Sequence, residues 1–393
     1  MTPHPPQDLI NRILSSGLRG RGGGWYPTGK KWQAVAAEGG EPCIVGNGAE
    51  GEPGSIKDRF VMRRRPELVL RGLQMAAQAL GARQTVLYLR GSFNAEARAL
   101  EGALSAGVDG LEVRLFRGEE GYIAGEETAV LETLEGRRAW PRPKPPLPSA
   151  VGLEGRPTLV QNVETLSLVP AAVDDPEAFR RSEKTLVSLW GHVRRPGVYE
   201  IRLGTPLQEI IDRCGEGAPE GVGLLFPGGP SASPLRPEET VLPLDPEALR
   251  GAGSGLGTGS FLVLKKNICP LAAGVSLASF FERESCQQCP PCSVGTSNLA
   301  RILRALEDGI ARPPDLRALS EAAGFMSIHG YCAHGRTAAA AVGGLLARFP
   351  ETVEEHLRSG CPKGPQDPFG AASPERAAIE RALLEVPGGP SQP

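Results

Sequence analysis

PELVLRGLQMAAQALGARQTVLYLR, residues 66–90, decides the fold class of the first part of this chain. Its opening segment reads as an amphipathic helix. Pro66 suits a first turn, apolar residues recur at three- and four-residue intervals, and Gly81 suits a helix stop. The closing TVLYLR (85–90) is β-branched and apolar, as a short buried strand is. Upstream, PCIVGN (42–47) has the same character. Strand, helix and strand in that order predict an α/β domain with at least partly parallel pairing.

Outward from this unit the texture changes twice. KTLVSLWGHVRRPGVYEI (184–201) reads as strand, turn at Pro196-Gly197, and strand; LQEIIDRCG (207–215) reads as a short helix and FLVLKK (261–266) as a closing strand. These make a small α+β module. Further on, SLASFFERE (276–284), NLARILRALEDG (298–309), PDLRALSEAAG (314–324) and TAAAAVGGLLARF (337–349) all carry helical spacing of apolar residues. The expected division is an α/β domain over 1–183, the module over 184–266, a helical region over 267–360 and a flexible tail over 361–393. The run PRPKPPLPSAVGL (141–153) reads as an ordered extended segment or a linker.

The 393 residues are 40% hydrophobic and 22% charged, an ordinary soluble composition, while 51 Gly and 37 Pro promise many turns. A net charge of -2 gives no field that would draw nucleic acid or an anionic membrane. No stretch approaches the roughly 18–20 apolar residues of a spanning helix. MTPHPPQDLINRIL at the N-terminus lacks the basic and apolar regions of a secretory signal. The expectation is a cytoplasmic protein that meets a membrane only indirectly, through another protein chain.

Three of the eight cysteines, Cys286, Cys289 and Cys292, share one C-x2-C-x2-C loop just ahead of an apolar-striped helix. Two-residue spacings let a loop wrap three thiolates around one face of a compact inorganic cube, whose fourth iron needs a ligand from elsewhere. Cys332, forty residues beyond Cys292, is placed to return to the loop by a helical hairpin. Structural zinc is the competitor, since His329 and His334 flank Cys332, but zinc usually takes paired ligands from two separate turns. The remaining cysteines, Cys43, Cys214, Cys269 and Cys361, read as scattered buried thiols.

GRGGGWYPTGKKW (20–32) is a glycine-rich loop whose backbone amides can approach a phosphate, with Arg21 or Lys31 to neutralise it. It is neither a dinucleotide fingerprint nor a Walker loop, and an unremarkable loop has the same composition. NGAEGEPGS (47–55) follows a strand, where ligands bind in open α/β sheets. YIAGEET (122–128) opens a helix. Carboxylates there cap helices as readily as they accept hydrogen bonds from ribose.

Together these motifs bear a specific likeness. GLRGRGGGWYPTGKKW (17–32), NGAEGEPGSIKDR (47–59), GYIAGEETAVLETLEG (121–136), RPKPPLPSAVGL (142–153), PTLVQNVETL (157–166), GHVRRPGVYE (191–200) and ESCQQCPPCSVG (284–295) with Cys332 stand in unbroken order. The chain resembles the flavin-bearing, NADH-oxidising (51 kDa-type) subunit of respiratory complex I and its relatives in NAD-linked formate dehydrogenases and hydrogenases. The resemblance implies a Rossmann-like flavin domain, a ubiquitin-like β-grasp (SLBB) domain and a C-terminal helical bundle carrying a 4Fe-4S cluster on Cys286, Cys289, Cys292 and Cys332.

It further implies FMN with its phosphate on Gly20, Arg21, Gly22 and Lys31, and its body lined by Asn47, Glu50, Tyr122, Gly125, Glu126, Asn162 and Thr165. NADH would meet Tyr26, Glu52, Glu127 and Lys144. A hydride would pass to the flavin and single electrons on to the cluster, with no catalytic side chain needed. The implied partner is a small thioredoxin-like iron–sulfur subunit within a larger electron-transfer complex. Against the family pattern, two aromatic positions are Ala34 and Leu147, an aspartate is Ala49, an asparagine is Gln161, a glycine is Trp25 and a cysteine is Ala124. A paralogue fed by another donor, or a non-catalytic assembly scaffold, are the alternatives these departures raise.

Overall fold

The computed structural model describes residues 5–107, 112–364, 366 and 368. The flexible tail expected over 361–393 lies for the most part outside the described residues. The chain forms two compact units, one of the chain up to Gly51 plus Ile56–Lys184, the other of Glu52–Ser55 plus the chain from Thr185 onward.

The first unit is built on four parallel strands in the order β3-β2-β1-β4: β1 (Cys43–Gly48), β2 (Gln84–Arg90), β3 (Val113–Gly118) and β4 (Thr158–Asn162). The strand–helix–strand expectation is met, with α4 (Pro66–Leu80) between β1 and β2 and its left-handed Gly81 stop in place. Two strands escape a hydrophobicity reading. VRLFRG (β3) carries arginines at an edge, and TLVQN (β4) ends in amides. The remaining helices of this unit are α1 (Pro6–Ser16), α2 (Thr28–Glu38), α3 (Lys57–Arg64), α5 (Asn94–Ser105), α6 (Glu127–Leu134), α7 (Val163–Asp174) and α8 (Pro176–Arg181). Cys43, Val45, Val86, Tyr88 and Val160 of the strands bury against Val130, Leu131 and Leu153. Gly72 of α4 allows backbone-close packing, for a Cβ there would sit 1.9 Å from the Leu166 carbonyl oxygen of α7. The proline-rich run has no regular element but is fully described, with Arg142 reaching Glu132, Glu135 and the Gly152 carbonyl.

The second unit opens on a four-stranded sheet in the order β6-β5-β8-β7, with β5 (Lys184–Gly191) parallel to β8 (Ser260–Lys265) and β7 (Val222–Phe226) antiparallel to it. β6 (Gly197–Arg202) follows the Pro196-Gly197 turn. The predicted helix at 207–215 is a single turn, α9 (Leu207–Glu209), that widens into a π-helical turn over Ile210–Cys214. The short α10 (Pro246–Gly251) precedes β8. Five helices follow: α11 (Pro270–Arg283), α12 (Pro290–Glu307), α13 (Pro313–His329), α14 (Ala333–Arg348) and α15 (Pro350–Ser359). α15 exceeds the four helices expected because PETVEEHLRS is mostly polar. Within this unit Glu52 accepts from the Ser231 amide and hydroxyl at 2.9 Å each, and Ser260 Oγ donates to the Pro53 carbonyl.

Candidate functional site

The sheet of the first unit has one switch point. From β1 the chain goes to β2 on one side, while β4 flanks β1 on the other. Open parallel sheets bind ligands at the carboxyl ends of strands beside such a reversal. The two residues there are Asn47 and Asn162, which stand opposite each other in the β1–β4 register. Asn47 Nδ2 donates to the Gly125 carbonyl and its Oδ1 accepts from the Ala49 amide. Asn162 caps α7 through the Thr165 amide, and its Nδ2 donates to Asp58 at 2.7 Å.

The glycine-rich loop closes over this end. The Arg21 amide donates to Thr165 Oγ1 at 2.8 Å, and a Cβ on Gly22 would press on Asn162. The Arg21 side chain turns inward: it is fully buried, donates to Glu183 and to the carbonyls of Arg19 and Lys184, and lies 4.4 Å over the Trp25 ring. Trp25 itself adopts φ 50 and is buried, so a position that favours glycine holds an aromatic clamped by a cation. α2 starts just after the loop with no side chain capping its first amides, and Lys31 sits in its first turn.

Lys31 Nζ donates to Glu127 at 2.9 Å, and Lys144 Nζ donates to Glu126 and Glu127 at 2.7 Å each. Glu126 also caps α6 through the Thr128 and Ala129 amides. Burial opposes the charge of Glu127, but Lys31 and Lys144 outweigh it and hold its carboxyl at about 2. Burial likewise works against Lys144, and Glu126 and Glu127 raise it nonetheless. Gly125 lets this turn approach β1, since a Cβ there would be 2.6 Å from the Ala49 carbonyl oxygen. Tyr122 begins the same turn, ahead of the Ile123–Gly125 helical turn.

Under the site lies a buried ionic cluster that the motifs did not announce. Lys57 Nζ meets Asp58 at 2.7 Å and Glu164 at 2.9 Å. Glu50 accepts from the Asp58 and Arg59 amides at the start of α3. Burial pushes Asp58 up to about 7, with Lys57 countering and Glu50 and Glu164 adding to the rise; those same carboxylates keep Lys57 protonated against its own burial.

Of the residues expected to face a dinucleotide, Tyr26 and Leu147 are more than half exposed, and Ala34 is exposed. Trp25 is turned inward, and Trp140 is covered on one face by Arg138. Glu52, in the second unit, is buried against Ser231.

In the second unit Cys286, Cys289 and Cys292 lie where the chain enters α12, with Cys289 as its N-cap, and Cys332 is the N-cap of α14. Gln287 takes φ 63 to turn the chain between the first two. Ser285 Oγ lies 3.5 Å from Cys292 Sγ. Burial pushes the Cys292 thiol up to about 11, with Cys289 and Cys286 adding to the rise. Gly335 of α14 lies beside the loop, 3.8 Å from Cys292 Sγ measured from where its Cβ would stand. Burial lowers His334 from its ordinary pKa, and its Nε2 meets the Phe281 carbonyl at 2.8 Å. His329 lies against Phe325.

The residues fit the groups the sequence implies. A thiol-only donor set at two helix starts suits a cube. An uncapped helix start beside a glycine loop suits a phosphate. Thr28 Oγ1 and Gln161 Oε1, both buried without a hydrogen-bond partner, supply polar atoms beside that loop.

Sequence comparison points the same way. Residues 13–171 match the Nuo51 FMN-binding domain, 186–233 the SLBB domain, and 273–356 the NADH-ubiquinone oxidoreductase-F iron-sulfur binding region. The second F chain of the NADH-quinone oxidoreductase of Rhizobium meliloti is 36% identical over 383 residues, covering 91% of each chain. This chain belongs to the NADH-quinone oxidoreductase F-chain family. The F chain of Streptomyces coelicolor is 38% identical, covering 92% of this chain and 85% of that one. An NAD+-reducing NiFe-hydrogenase in its H2-reduced state superimposes with a TM-score of 0.83 at 32% identity, over 97% of this chain and 67% of the other. Like other F chains, this one is an electron-transfer flavoprotein oxidoreductase component with FMN and 4Fe-4S regions, part of a multi-subunit assembly. Among its described residues no helix is long and apolar enough to cross a membrane.

Proposed function

We propose that FMN binds at the switch point of the first unit, that NADH is its reductant, and that Cys286, Cys289, Cys292 and Cys332 hold the 4Fe-4S cluster. The observation that carries this reading is Asn47 opposite Asn162 at the carboxyl ends of β1 and β4, under the glycine-rich loop. Gly20, Arg21 and Gly22 give the loop backbone for the phosphate, with Lys31 at the start of α2. Asn47, Glu50, Tyr122, Gly125, Glu126, Asn162 and Thr165 shape the flavin's surroundings. Tyr26, Glu127 and Lys144 face the dinucleotide. Bound flavin supplies the two-electron-to-one-electron conversion. The protein orients the flavin, pairs Lys31 and Lys144 with the carboxylates of Glu126 and Glu127, and ties the GEET turn to β1.

Electrons leave by way of the cysteine loop. Val294 on α12, Phe325 and Ile328 on α13, and Tyr331 beside Cys332 are exposed apolar side chains around it. They suit a docked neighbour, which the reading takes to be a small thioredoxin-like iron–sulfur subunit. The reading places the protein in a reducing, cytoplasmic setting, with membrane contact only through the complex.

Anaerobic stopped-flow of flavin-reconstituted protein with NADH tests the proposal. Rapid flavin bleaching is expected, with Ala34→Phe lowering the apparent KM and Lys31→Ala lowering flavin occupancy. A bound flavin that dithionite reduces and NADH does not would transfer the role of donor to another molecule.

A further inference from the structure

Three side chains outside the cysteine loop converge elsewhere in the helical part of the second unit. Cys269 is the N-cap of α11, His356 lies on α15, and Cys361 follows Gly360, the C-cap of α15. Their ligand atoms all lie within 4.8 Å of one another, a metal-type grouping among the described residues. Cys269 and His356 are buried, and Cys361 is partly exposed.

The imidazole is already set as a ligand. His356 Nδ1 lies 2.7 Å from the Thr352 carbonyl, which can only accept, so Nδ1 carries the proton. Nε2 is then a bare lone pair, 3.4 Å from Cys269 Sγ. A carbonyl partner on the remote nitrogen is the usual second contact of a metal-bound histidine. A tetrahedral ion with a sulfur about 2.3 Å away and a nitrogen about 2.0 Å away keeps those two atoms about 3.5 Å apart, close to the spacing seen.

The sulfurs are held in place as well. The Cys269 amide donates to Gln366 Oε1 at 2.8 Å. The amides of Ala272 and Leu271 at the start of α11 point at the Cys269 sulfur. The Cys361 amide donates to the Glu307 carbonyl at 2.8 Å. Two thiols and an imidazole make a borderline-soft donor set, the kind that selects zinc over the hard cations.

We propose that Cys269, His356 and Cys361 form a second metal site, for a zinc-class divalent ion, separate from the iron–sulfur cysteines and completed by one water molecule. The ion ties the start of the first helix of the region to the end of the last. The chain closes on itself there, and the segment after α15 is fixed against α11.

The test uses the full-length protein carrying its iron–sulfur cluster, exposed to zinc sulfate and desalted, with zinc and iron counted by mass spectrometry. Wild type is expected to hold about one zinc per chain, falling at least about tenfold in His356→Ala and Cys361→Ser while iron is unchanged. X-ray absorption at the zinc edge of wild type needs no variant, and should show two sulfurs at about 2.3 Å and one nitrogen at about 2.0 Å. Absence of zinc from wild type, zinc undiminished from wild type in both variants, a shell of four sulfurs, or a disulfide joining Cys269 to Cys361 would each overturn the assignment.

Discussion

At the scale of single residues, the charged side chains of the candidate site answer one another. Glu127 stands between Lys31 and Lys144 and keeps its carboxyl at about 2 although burial opposes its charge. Because the folded value lies below the ordinary carboxylate range, the stabilisation is full at neutral pH and is lost as pH falls from about 4.5 toward 2. Glu127→Gln should therefore cost about 2 kcal/mol at pH 7 and much less near pH 3. Urea unfolding of both proteins at the two pH values measures this, and a gap that does not shrink would refute the pairing. The motif residues themselves were readable, because each sits in a short local pattern. Their commitments were not. Arg21 goes to Glu183 and Glu52 to Ser231, partners 162 and 179 residues away that no local spacing displays.

At the scale of elements, close backbone approach decides what the helices tolerate. Gly72→Ala would gain helix propensity, worth about 1 kcal/mol in an open position. Here the added Cβ meets the Leu166 carbonyl of α7, a backbone atom with no rotamer to change. A net loss of about 1–3 kcal/mol is expected, seen as a lower melting temperature, and a stabilised variant would show that α4 and α7 are not so closely packed. The same physics explains which elements could be read. α4, β1 and β2 are apolar at the right period, whereas β3 carries arginines, β4 ends in amides, and α15 is largely polar. The hydrogen-bond ladder and tertiary packing supply what their side chains do not advertise. Cys269 and Cys361 read as scattered thiols because His356, the residue that joins them, is 87 residues from Cys269.

For the whole molecule, the proposed cofactor residues divide between the two compact units: those assigned to the flavin lie in the first and the four cysteines assigned to the cluster in the second. Cys289→Ser should remove the broad iron–sulfur absorption and most of the iron while leaving flavin occupancy close to wild type. A parallel loss of flavin would show that the units do not hold their cofactors independently. The chain does not pass from one unit to the other only once, since Glu52–Ser55 belongs with residues that follow Thr185. During synthesis, Pro53 waits for Ser260, 207 residues later, and Glu52 for Ser231, 179 residues later. At roughly 5–20 residues per second that wait is on the order of ten to forty seconds. The peptide after β1 therefore reaches its final hydrogen bonds only when the second sheet has been made, so a segment that leaves the ribosome early is among the last to be finished.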